Sequence, residues 1–263
     1  MTCLPRRLAA ALLVLASTTA LGADYVRLPG GDFDSVLPQN APGLPQRVRI
    51  EPFALRTTPV TIGEYRAFLQ THAAWRRDRV PEVFASVSYL ADWADALHPN
   101  PQAPLQAPVT GVSWFAARAY CETEGARLPT WLEWESAAAA DATRADARND
   151  PQWAQRILGW YERPAQRILP PVGGPPDVHG VRDLHGLIWE WVDDFNALFI
   201  AGDSRTQGDP DKQQFCGAGA ISIVRRDSYA VLMRVALLSS LNGADTTASL
   251  GFRCARTLHG ETP

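Results

Sequence analysis

The chain has 263 residues, of which 46% are hydrophobic and 20% charged, with a formal net charge of −3. This composition excludes a disordered polypeptide. The lack of a basic excess or a Lys/Arg cluster excludes the electrostatic footprint of a nucleic-acid binder.

Arg6 and Arg7 precede an apolar run from Leu8 to Ala16, which Ser17, Thr18, Thr19 and a Leu21-Gly22-Ala23 cleavage site follow. The pattern predicts a signal peptide over 1–23, removed on export to the periplasm, and one mature domain over 24–263. The run is shorter than the roughly 20 residues a membrane span needs, and no later segment is apolar enough to span. Cys3 lies ahead of the run, so it is not a lipid-anchor cysteine.

Tyr25–Leu28 reads as a strand entering the turn Pro29-Gly30-Gly31, and Val48–Ile50 and Phe53–Leu55 read as further strand pieces. Thr61 and Glu64 form a capping box ahead of an apolar face of Tyr65, Phe68 and Leu69. Ser113 caps a second helix that runs to about Glu124 and stops at Gly125, with Trp114, Ala117 and Cys121 on one face. Thr130 and Glu133 form another capping box before Trp134 and an alanine run to Ala140. The stretch 141–180 mixes Asp, Arg, Pro and Gly without a period and reads as mostly loop. With 21 prolines, 19 glycines and nine tryptophans, large aromatics fill much of the core of a loop-rich chain.

Several segments, in order, resemble the formylglycine-generating enzymes, the sulfatase-modifying-factor family. They are Val26–Phe33, Glu51–Leu69, Pro108–Ala138, Gly180–Asp194 and Leu250–Arg256. The resemblance implies an α+β, C-type-lectin-like fold with little regular structure. In that family two cysteines near the C-terminus bind copper and oxidise a substrate cysteine; thiolates are the soft ligands that select Cu(I). Counting back from Gly251-Phe252-Arg253-Cys254 puts the two positions on Arg225 and Ala230, neither of which is a thiol. Copper-dependent formylglycine formation is therefore not expected.

The same resemblance implies a Cys121–Cys254 disulfide; otherwise Cys121 is a small buried residue on an apolar face. Cys216, in Phe215-Cys216-Gly217-Ala218, reads either as a thiol lining the pocket or as a buried unpaired cysteine. With Arg225 and Tyr229 it forms the set of catalytic candidates. Asp183-Leu184-His185-Gly186-Leu187-Ile188-Trp189-Glu190 resembles the family's calcium loop. Asp183 and Glu190 would supply carboxylates, and Gly186 and Ile188 carbonyl oxygens, to a hard cation. The other reading has the two acids capping and bridging a structural turn. His72, His98, His179, His185 and His259 lack the His-x3-His-x-Glu spacing of the iron-dependent relatives.

Ile157–Pro164 and Phe215–Ala220 are similar to a sub-branch that includes a nitrite reductase accessory protein and a pyoverdine maturation protein. The expectation is an exported accessory or maturation factor serving a periplasmic metalloenzyme. The alternatives are an oxidoreductase of altered chemistry acting on a small molecule or peptide, and a lectin-like binding module.

Overall fold

The computed structural model describes residues 24–37, 46–164, 166–198 and 229–258. The leader 1–23, Cys216 and Arg225 lie outside them. Strand β1 (Tyr25–Leu28) leads through the Pro29-Gly30 turn into β2 (Gly31–Ser35), which pairs antiparallel with β3 (Gln46–Ile50). Gly30 has φ +67°, and a Cβ there would fall 2.2 Å from the carbonyl oxygen of Ile50, so only glycine fits this turn. Strand β4 (Phe53–Arg56) is buried along its whole length. It is the middle strand of a three-stranded antiparallel sheet, with β1 on one side and β7 (Ala255–Thr257) on the other. A parallel two-stranded piece joins β5 (Trp189–Glu190) to β6 (Leu250–Gly251).

The helices start where their caps say. In α1 (Ile62–Thr71) the Thr61 hydroxyl accepts the Glu64 amide at 3.2 Å, and the Glu64 carboxylate accepts the Thr61 amide at 2.8 Å. Helix α2 (Trp114–Thr123) begins at Ser113, whose hydroxyl accepts from the Ala116 amide, and it buries Ala116, Ala117, Tyr120 and Cys121. Helix α3 (Trp131–Ala138) carries the second capping box, on Thr130 and Glu133. Such caps contribute about 1 kcal/mol each, and they matter in helices of eight to ten residues, which are too short to hold themselves together.

The stretch 141–180, expected to be mostly loop, is so among the described residues apart from one helix, α4 (Pro151–Tyr161). Asp150 caps it by accepting the Gln152 amide, Pro151 occupies the first turn, where its missing N–H costs nothing, and Trp153 and Ile157 are its buried residues. A fifth helix, α5 (Tyr229–Ser239), packs against α4 and against the short helical turn Phe195–Ala197. The architecture is mixed α+β, with three small sheets among the described residues and long connections. Trp131, Trp134 and Trp191 are among its largest fully buried side chains, in keeping with an aromatic core. Cys121 and Cys254 are joined as a disulfide, their Cα atoms 5.5 Å apart. Among the described residues no helix is long and apolar enough to cross a membrane.

Candidate functional site

The site is built outward from one acid. Pairing of β5 with β6 sets Glu190 opposite Gly251, two residues before Arg253. Glu190 and Arg253 are both completely buried. One carboxylate oxygen of Glu190 accepts Arg253 Nη2 at 2.8 Å and Nε at 3.1 Å; the other accepts the same Nε at 2.9 Å and the indole N–H of Trp134 at 2.9 Å. Arg253 spends its remaining donors on the carbonyls of Arg56, Thr57 and Arg182, and so ties β4 to the 182–190 turn.

A second guanidinium reaches the same point from α5. Arg234 is 2% exposed and donates to the carbonyl oxygen of Glu190. Its charged carbon lies 3.5 Å from the centroid of the Trp134 ring, a cation–π contact. Burial lowers its pKa to about 10, which still leaves it cationic at neutral pH. Its Nε has no hydrogen-bond partner.

The four residues of the expected calcium loop are held differently. Both Asp183 oxygens accept backbone amides, from Gly173 at 2.7 Å and Gly174 at 3.1 Å. Gly186 has φ +93° and packs under the Trp160 ring, and the Ile188 side chain is in the core. Three N–H groups, two from Arg253 and one from Trp134, reach the Glu190 carboxylate. The two acids therefore serve separate partners. Among the described residues no group of three or more His, Cys, Asp or Glu side chains is placed to hold a metal ion. Of the catalytic candidates, Cys216 and Arg225 fall outside the described residues, and Tyr229 is the first residue of α5.

Next to this buried node a cleft of about 470 Å³ opens between α4 and the 175–186 turns. His185 forms part of its lining, between the edge-on rings of Trp134 (5.8 Å) and Trp153 (5.7 Å). The Ala138 carbonyl lies 2.7 Å from His185 Nε2, so Nε2 carries the proton and Nδ1 is an acceptor. Burial lowers the imidazole pKa to about 4, with the positive charge of Arg234 adding to the effect, so the ring is neutral at physiological pH. Trp160, Arg156 and Arg163 bring the α4 side of the cleft to its rim. Sequence reasoning passes over His185, Arg234 and Trp160. The signal that locates Trp160 is the spacing Trp153, Ile157, Trp160, one face of a capped helix.

A small, loop-rich α+β domain, with α2 tied by a disulfide to the β6–β7 connection, is the architecture expected of the formylglycine-generating-enzyme type. The chain belongs to that family: the sulfatase-modifying factor enzyme 1-like domain matches residues 13–258. It is 29% identical to the formylglycine-generating enzyme of Streptomyces coelicolor, over 88% of each chain. It is 27% identical to the inactive C-alpha-formylglycine-generating enzyme 2 of Bos taurus, over 88% of this chain and 87% of that one. Among solved structures, PvdO from Pseudomonas aeruginosa aligns with 89% of this chain and 94% of its own, at 20% identity and a TM-score of 0.46.

Proposed function

We propose that this protein is an exported accessory factor of the family, without formylglycine-forming activity, that assists the maturation of a periplasmic metalloenzyme such as a copper nitrite reductase. The observation that carries the first part is the cysteine inventory. The chain has four cysteines, and Cys121 and Cys254 are bonded to each other. That leaves Cys216 and Cys3, the latter ahead of the apolar leader run. A copper-binding dithiol needs two thiolates side by side, and the register from Cys254 places Arg225 and Ala230 where the family has its pair. The similarity to an inactive bovine relative agrees with this reading. The accessory role rests on the sub-branch likeness of Ile157–Pro164 and Phe215–Ala220.

The test has two arms. A Cys-x-Pro-x-Arg peptide incubated with the mature protein, copper and oxygen keeps its cysteine by mass spectrometry. Turnover above a copper-only control, lost on Cys216→Ser, overturns the inactive reading. In the producing organism, deletion lowers the metal content of the partner enzyme and leaves its abundance unchanged. An unchanged metal content overturns the maturation role.

A further inference from the structure

The cleft beside α4 has the makings of a binding site that the family's oxidation chemistry does not use. Its charges divide into two kinds. Three aspartates line it, and each is consumed by its own loop. Asp141 is bound by the Arg144 guanidinium and the amides of Thr143 and Arg144. Asp177 accepts the amides of His179 and Val181, and Asp183 those of Gly173 and Gly174. These acids shape the far wall, and each holds two of its backbone amides. The two arginines are different. Arg156 stands on α4 and Arg163 just past its end; both are exposed, and neither has a hydrogen-bond acceptor or acid partner among the described residues.

The apolar lining is equally specific. Trp153 and Trp160 present indole surface to the cleft, and Trp160 is braced from behind by Tyr161 at 4.7 Å and Trp189 at 5.6 Å. Gly186, beside the Trp160 ring, has a backbone at φ +93° that side chains rarely adopt. The wall is therefore preorganised, which lowers the cost of ordering it around a ligand. His185 is an uncharged acceptor at Nδ1, because its Nε2 proton is committed to Ala138.

We infer that the cleft between α4 and the 175–186 turns binds a planar organic anion, its ring against Trp153 and Trp160 and its carboxylate or other acidic group between Arg156 and Arg163. A donor group on the ligand completes the set by reaching His185 Nδ1. This site is separate from the proposed maturation role, and it stands or falls on its own measurements.

Isothermal titration calorimetry of the mature protein with naphthoate, and with its neutral amide, tests the inference. Naphthoate binds, and the amide binds more weakly by about tenfold, the scale of one charge-assisted contact. The exposed pair Arg156→Glu/Arg163→Glu abolishes naphthoate binding and leaves amide binding unchanged, with the same melting temperature as the parent. Trp160→Ala weakens both ligands. Equal affinity for anion and amide, retention of naphthoate binding by the double variant, or no binding heat from either ligand each overturns the inference.

Discussion

Two pairs of arginines lie near the edge-on contacts of His185 with Trp134 and Trp153, an inner pair that is buried and an outer pair that is exposed. On the inner side Arg253 and Arg234 are buried, one in a multidentate pair with Glu190 and the other on the Glu190 carbonyl and the Trp134 face. On the outer side Arg156 and Arg163 are exposed and have no acid partner among the described residues. The free energies run opposite ways. A buried guanidinium loses several kcal/mol of hydration, which its partners must offset. An exposed one keeps its hydration and costs the fold nothing by being unpaired. The inner pair thus answers to folding, and the outer pair is free to answer to a ligand.

Removing the inner acid separates the two sides most sharply. Glu190→Gln leaves Arg253 and Arg234 without a counter-charge in the core, and breaking a buried pair in this way costs about 3–5 kcal/mol. Chemical denaturation measures the loss; a change below about 1 kcal/mol, the level of an exposed pair, erases the distinction between the two sides. The disulfide comes next. It closes a loop with a sequence separation of 133, so Cys121→Ser/Cys254→Ser lowers stability by about 2–5 kcal/mol. That loss appears equally under reducing conditions in the parent protein.

His185 sits on the boundary, and pH reads it. Its folded pKa of about 4 lies below the ordinary 6.5. The unfolded chain therefore takes up the proton first as pH falls. The neutral ring's contribution is complete above pH 6.5 and is lost as pH falls through 4, with a slope of at most about 1.4 kcal/mol per pH unit. Arg234, Arg253 and Glu190 supply the surrounding charges. His185→Gln flattens this part of the stability profile; an unchanged slope shows that the imidazole is as solvated as the outer arginines. The smallest effect concerns calcium. A melting temperature that rises with added calcium and falls with a chelator makes the 183–190 turn a metal loop, and one indifferent to both leaves Asp183 and Glu190 to the partners they already hold.

What was legible in the sequence is what is written locally. Thr61 with Glu64, Ser113 with Gly125, and Thr130 with Glu133 each announce a helix within a few residues, and all three helices form. Helix α4 is announced as well, by Asp150, Pro151 and the Trp153–Ile157 spacing, but it stands within a stretch whose Asp, Arg, Pro and Gly content hides one clear turn of period. Helix α5 carries Val231, Leu232, Met233, Val235, Leu237 and Leu238, apolar on nearly every side, so no single stripe marks it. The site is legible only as an acid. Glu190 is visible in its motif, whereas its partners Trp134, Arg234 and Arg253 lie 56, 44 and 63 residues away. No local spacing predicts that this carboxylate will meet a guanidinium so far along the chain.

The sheet order β1-β4-β7 carries one more consequence. Phe53 pairs with Thr257, so the middle strand gains its second neighbour only after almost all of the chain has been made. Contacts this distant in sequence form slowly, because the entropy of closing the loop must be met before the pairing stabilises anything. Val60 and Arg56 likewise donate their amides to Phe252 and Cys254. A nascent chain ending anywhere before this point has its first sheet open along one edge. Completion of this sheet consequently waits for residues 255–257, however early the β1–β4 pairing forms.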